Sequence, residues 1–181
     1  MASTSLSTMP TIAPLHAVDP QLVEDLLDAA FGEGRQARTA YRIREGMDWL
    51  PGLSFAALDD EDYLVATIQL WPVALTDSDG RAHPLLMVGP VAVMPGRQGE
   101  GFGKALMAAS LAAVDRLGEG SSAALPQVLI GDVDYYGKWD FSPAHTGGWH
   151  CPGPYEQGRL LARTNNAAIL PREGMLGPWM G

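Results

Sequence analysis

The amino-acid sequence predicts an α+β domain, a mostly antiparallel mixed sheet flanked by helices. Three observations lead there. The apolar runs Leu53 to Leu58 and Tyr63 to Val73 are joined by Asp59-Asp60-Glu61-Asp62, the pattern of a hairpin with a solvated turn. A valine-rich run, Leu85 to Val93, leads through a glycine-rich loop into an alanine-rich helix. Finally, 46% of the 181 residues are hydrophobic, enough to fill one core.

Met1 to Pro10 is rich in Ser and Thr and lacks the basic and apolar regions of a signal peptide, so it reads as a loose leader. Thr11 to Leu15 is a short strand. Asp19-Pro20 supplies an N-cap and a first helical position. Leu22, Val23, Leu26, Leu27, Ala30 and Phe31 then recur at helical spacing, and Gly32 closes the helix. Gly34 to Met47 carries Arg35, Arg38, Arg42 and Arg44 and has weaker periodicity; it predicts a second, more exposed helix. Trp49 to Gly52 is a turn ahead of the hairpin, and Thr76 to Gly80 is the next turn, leading into Leu85 to Val93. Pro95-Gly96 stops that strand.

Leu106, Met107, Leu111, Val114 and Leu117 mark the helix after the loop, which ends at Gly118. Glu119 to Ala124 is a connector of mostly small residues. Pro126 to Ile130 is a strand, Asp134 to Pro143 a short helix and turn, Gly147 to Pro154 irregular, and Arg159 to Arg163 a last strand. One domain is therefore expected over 11–163, followed by a tail over 164–181. Leu170, Met175, Leu176 and Trp179 of that tail would pack on the domain or on a partner subunit, as in a homodimer.

The net charge of −9 disfavours nucleic acid as a partner, since phosphate binding needs a positive surface. It suits a cationic small molecule or a peptide amine, although the arginines at 35–44 leave an anionic acceptor open. No apolar run reaches the ~20 residues that span a bilayer. Cys151 is the only cysteine, so no internal disulfide forms and nothing argues for export. A cytoplasmic protein with no membrane partner is expected.

Gly99, Gly101 and Gly103 alternate just before the helix, so several backbone N–H groups and the positive helix end can face one anion. A phosphate or pyrophosphate is implied. A P-loop reading fails, because Gln98 stands at its first glycine and Ala105 at its hydroxyl position. A dinucleotide fingerprint fits at Gly99 and Gly101 but meets Lys104 at the third glycine. Gln98-x-x-Gly101-x-Gly103, after Val91-Ala92-Val93 and before a helix, resembles the acetyl-CoA pyrophosphate loop of the GNAT acetyltransferase superfamily. Met87 to Val93 and Gly131-Asp132-Val133-Asp134-Tyr135-Tyr136 together resemble its YhbS-like branch.

That resemblance implies the acyl-CoA N-acyltransferase fold, whose sheet splays open after the central strand. It implies acetyl-CoA as cosubstrate, with its pantetheine arm along the backbone of Val91, Ala92 and Val93. Arg97, Gln98, Gly99, Gly101, Phe102, Gly103 and Lys104 would hold the pyrophosphate, Arg97 and Lys104 adding charge. The acceptor would be a primary amine of a small molecule or peptide. Tyr136, aligned on Tyr-x-x-x-Gly-Phe with Asp140 in place of the glycine, would hydrogen-bond or protonate the departing thiolate. The base stays open among Asp132, Glu61, His83 and a water chain. Rival readings are a CoA-binding module without turnover and an assembly protein.

No metal is expected. Asp132-x-Asp134 departs from a calcium loop at Tyr136 and Pro143. His145, His150 and Cys151 match no zinc spacing and lack a fourth ligand.

Overall fold

The computed structural model describes residues 9–119 and 125–181. Apart from Met9 and Pro10, the expected leader lies outside these residues, as does the connector beyond Glu119. The first strand, β1 (Thr11–Pro14), is followed by α1 (Pro20–Phe31). Asp19 caps α1 by accepting from the Gln21 N–H at 2.9 Å, and Gly32 ends it at φ +87°, where a side chain would be strained. Val23, Leu26 and Leu27 of α1 are buried with Leu15, Ala56 and Ala92, which sets α1 on the sheet.

Gly34 to Met47 is not one helix, contrary to the sequence expectation, and it is exposed only in part, with Arg35, Thr39, Ile43 and Arg44 buried. Arg35–Ala37 is a 3-10 turn and Thr39–Ile43 is a short helix, α2. Arg35 and Arg44 are 4% and 5% exposed. The cause is tertiary. Arg35 Nε donates to Asp28 Oδ1 at 2.8 Å and its Nη2 pairs with Glu24, so α1 holds the segment in place of its own helical ladder.

The sheet is built on β2 (Phe55–Leu58), β3 (Leu64–Thr76) and β4 (Ala82–Val93), antiparallel neighbours joined by the two acidic turns. After α3 (Phe102–Leu117) come β5 (Gln127–Ile130), α4 (Val133–Tyr136), β6 (Gly148–His150), β7 (Leu160–Arg163) and β8 (Glu173–Pro178). The main strand order is β1-β2-β3-β4-β5-β7, and β8 pairs with both β3 and β6. Two segments are strands that the sequence did not announce, although packing of the tail on the domain was one of the two places expected for it. Gly148 to His150 is a strand inside the stretch read as irregular, and Glu173 to Pro178 of the tail belongs to the sheet. The reason is shared: β3 has β2 on one edge only as far as Ile68, and β8 takes that edge again from Val73 to Thr76. An open edge of that length invites pairing.

β4 and β5 are parallel, and only Leu86–Gln127 and Met87–Val128 are in register. Between Ile68 and Leu70 the β3–β4 register slips, because Gly89 and Pro90 of β4 stand opposite Gln69. That bulge turns β4 away from β5. From Val88 to Val93, β4 keeps β3 on one edge and has no strand on the other among the described residues. The split expected from the sequence is therefore present. α3 covers one face, burying Leu106, Met107, Leu111 and Val114 with Ile68, Leu70, Leu129 and Phe141. Each such side chain is worth about 1.5–3 kcal/mol when fully buried. The far end is closed around Trp149, fully buried, whose Nε1–H donates to the Pro171 carbonyl at 2.8 Å.

Candidate active site

The loop between β4 and α3 turns on Gly96, Gly99 and Gly101, with φ of +88°, +84° and +90°. Gln98 folds inward, its Oε1 accepting from the Gly96 N–H at 2.9 Å, so it shapes the loop. Among the described residues the backbone N–H groups of Gln98 to Lys104 have no acceptor; the helical ladder begins with Ala105 N–H to the Gly101 carbonyl at 3.0 Å. Nothing lies within 4 Å of where a Cβ on Gly99 or Gly101 would sit. Open space, free donors and a helix N-terminus suit a pyrophosphate.

The two cations of the loop differ. Arg97 is engaged, its Nε donating to Glu100 Oε2 at 2.6 Å and its Nη1 to Asp59 Oδ2 at 3.2 Å. These partners, Glu100 first, raise its pKa above the usual guanidinium value. Lys104 is exposed.

The strand edge, α3 and α4 converge on Gly103. A Cβ there would lie 3.4 Å from Tyr135 Oη, 3.7 Å from Val91 Cγ1 and 3.8 Å from Val93 Cγ2. Ala92, between the valines, is buried on the α1 side, as strand alternation requires. Asp132 caps α4, its Oδ1 accepting from the Asp134 N–H at 3.0 Å. The Tyr136 ring lies over Gly131, where a Cβ would collide with Cε2 and Cδ2. It meets Tyr135 edge-on at 4.9 Å and Phe141 at 6.3 Å between ring centroids. Burial, and then Tyr135, push the Tyr136 phenol above its ordinary value, with Arg159 opposing. Tyr136 is therefore a neutral donor at physiological pH. Asp140 takes φ +67°, the left-handed turn for which glycine was expected.

Two cavities meet above the split. One, of about 190 Å³, is floored by Val88 to Val91 of β4, Leu129 and Ile130 of β5, and Tyr136. Phe31, Arg35, Tyr41 and Arg44 stand over it. The second, of about 430 Å³, shares Arg35, Tyr41 and Arg44 and adds Glu24, Glu45 and Trp71. Trp71 Nε1–H donates to the Gly89 carbonyl at 2.8 Å, tying the bulge to this wall.

Val91 and Tyr136, singled out in the sequence, thus line one cavity. The candidate bases do not join them. His83 is held by Asp77 at 2.8 Å in the far turn, Asp132 caps α4, and Glu61 lies in the β2–β3 turn. Sequence reasoning marked Arg44 only as one of four arginines that leave an anionic acceptor open; it missed the rest of the roof, chiefly Glu24 and Trp71, and the place of Tyr41 in it. One local signal exists: Tyr41 and Arg44 are one helical turn apart and share a face. Their partners on α1 and β3 have no local signal.

Among the described residues no group of three or more His, Cys, Asp or Glu stands ready for a metal, and no helix is long and apolar enough to cross a membrane. The family model described as an acetyltransferase (GNAT) domain matches residues 11–144. No curated protein matches. Among solved structures, the chain resembles a GNAT family N-acetyltransferase, YhbS, from Escherichia coli in complex with CoA. The two share 21% identity over 94% of this chain and 89% of that one, with a TM-score of 0.68. It also resembles a GNAT family acetyltransferase from Brucella melitensis in complex with acetyl-CoA, at 24% identity over 95% and 97% of the two chains and a TM-score of 0.60. These likenesses carry the fold.

Proposed function

The chain belongs to the GNAT acetyltransferase family, and we propose that it moves an acetyl group from acetyl-CoA to a primary amine by direct attack on the thioester. The observation that carries the reading is the parting of β4 from β5 at Val88, between a loop of unpaired N–H groups and the Tyr136 phenol. The E. coli and B. melitensis relatives, solved with CoA and acetyl-CoA, support that cosubstrate.

In this reading the loop from Arg97 to Lys104 takes the pyrophosphate on its backbone N–H groups, and the free edge of Val91 to Val93 takes the pantetheine arm. The thioester then lies in the cavity of about 190 Å³. The amine enters through the wider cavity, where Glu45 offers a carboxylate to an ammonium while Glu24 is held by Arg35. It must lose a proton before attack, because a protonated amine has no lone pair. Its nitrogen bonds to the carbonyl carbon, the oxygen takes up negative charge, the nitrogen, now positive, gives a second proton to water, and collapse breaks the C–S bond to leave the amide and the thiolate. A backbone N–H on the open strand is the donor suited to that oxygen.

Tyr136 faces the departing sulfur. A phenol near 10 against a thiol near 8.5 makes full proton transfer uphill by about 2 kcal/mol, and the raised phenol widens the gap. Tyr136 therefore stabilises the thiolate by a hydrogen bond, and solvent completes protonation.

Acetyl-CoA and CoA should raise the melting temperature, and NAD and ATP should not; the reverse pattern would remove the family's cosubstrate from this chain. Thiol release with an amine panel then separates an enzyme from a binder. Tyr136→Phe should lower kcat by about tenfold to a hundredfold and leave acetyl-CoA affinity within about threefold. Gly101→Val should cost acetyl-CoA affinity, since it strains a φ of +90° and blocks the approach to the backbone.

A further inference from the structure

We propose that the acceptor amine also carries a carboxylate, which the guanidinium of Arg44 holds on the wall between the two cavities. This rests on the acetyl-transfer reading and narrows its substrate class. Of the four arginines between Gly34 and Met47, three are engaged within the protein. Arg35 donates to Asp28 at 2.8 Å and to Tyr41 Oη at 2.6 Å. Arg38 donates to the Phe31 carbonyl at 3.3 Å and Arg42 to the Pro152 carbonyl at 3.2 Å. Arg44 differs. It is 5% exposed, and its Nη1 is buried with no hydrogen-bond partner. Glu24, the nearby carboxylate whose charge acts on Arg44, is itself paired with Arg35, so Nη1 stays a buried donor with no acceptor, and such a group either neutralises or awaits one.

Arg44 does not neutralise. Burial lowers its pKa to about 10, which leaves it charged at neutral pH. The Tyr41 and Trp71 rings lie 4.1 and 3.8 Å from its central carbon and take up its faces. The guanidinium edge that carries the unpartnered Nη1 is left to bond, and a carboxylate oxygen matches it. Arg44 borders both cavities, so an anion placed there leaves the amine of the same molecule free to turn into the split. The pyrophosphate is not the missing anion. Trp71 ties Arg44 to the bulge at Gly89, whereas the loop turns at Gly96 to Gly101, more than six residues further on and roughly 20 Å of extended chain away.

The test pairs each amine with its carboxylated counterpart: methylamine with glycine, ethylamine with β-alanine, propylamine with 4-aminobutyrate. Thiol release from acetyl-CoA should give kcat/KM at least tenfold higher for the carboxylated member of one or more pairs. In R44M that ratio should fall towards one, whatever the change common to both members of a pair. R44K, which keeps the charge and loses the fork, should fall between. A wild-type ratio of one or less throughout overturns the proposal, and so does a ratio that survives R44M. Preference for 2-aminoethylphosphonate over β-alanine overturns the carboxylate.

If R44M does not fold, the wild-type ratios and R44K decide. If no amine is acetylated although acetyl-CoA binds, the enzymatic reading fails separately. The carboxylate is then read from the melting temperature of the CoA-bound protein with β-alanine against ethylamine: a rise with β-alanine alone supports it, and equal curves overturn it.

Discussion

Gly131 decides where Tyr136 can stand. The ring lies where a Cβ on residue 131 would be, and Leu129 closes the space from the other side at 3.2 Å. Gly131→Ala must therefore move the phenol. It should destabilise the fold by about 1–3 kcal/mol, as overpacking does, and lower kcat by about tenfold or more with acetyl-CoA affinity nearly kept. Melting curves and steady-state kinetics on one preparation check both halves. Asp140 shows the opposite tolerance. A glycine was expected there, and an aspartate adopts the left-handed turn at φ +67°, a conformation its short polar side chain enters more readily than most.

At the scale of elements, the β2–β3 turn and the glycine-rich loop before α3 share one carboxylate. Asp59 Oδ1 accepts from the Glu61 and Tyr63 N–H groups at 2.9 and 3.0 Å, and Oδ2 accepts from Arg97. These bonds, the Tyr63 N–H first, hold its carboxyl below the usual carboxylate range. The unfolded chain thus protonates Asp59 at higher pH than the folded one. Its stabilisation is full above an unfolded value of about 3.9 and is lost as pH falls through the lower folded value. Asp59→Asn should lower the melting temperature at pH 7 and reduce the fall in melting temperature between pH 5 and 3. Thermal melts across that range are the measurement.

The acidic run that Asp59 opens was readable as a turn because its signal is local. So were α1, with its cap and apolar stripe, and α3. Helix α2 was not, because Arg35 answers to Glu24 and Asp28 on another element. The same holds for the site. Glycine spacing exposed the loop, and a second motif exposed Tyr136. The stacking of Arg44 on Trp71 required the fold itself.

For the whole molecule, β8 matters most among the parts that the sequence concealed. It fills the β3 edge beyond the end of β2, pairs with β6, and buries Leu176 at 1% exposure. Its residues, Glu-Gly-Met-Leu-Gly-Pro, show no apolar alternation to announce a strand, and β3 lies far from it in sequence. Removal of residues 173–181 should cost about 2–4 kcal/mol, the burial of Leu176 together with lost ladder bonds. That corresponds to a melting temperature lower by roughly 5–15 °C. The exposed edge should also promote self-association, read as a rise in mass on size exclusion with light scattering.

The pairing of Arg97 with Glu100 carries a consequence for kinetics in the cell. Glu100 offers that guanidinium a carboxylate where a phosphate would otherwise bind, so the loop contains its own competitor. Salt that screens an arriving polyanion screens this internal rival too. The share of Arg97 in CoA association should therefore respond only weakly to ionic strength, while the net charge of −9, which repels a polyanion, should make association faster as salt rises from about 0.05 to about 0.3 M. Under the acetyl-transfer reading, such a loop takes up its ligand no more slowly in concentrated surroundings than in dilute ones.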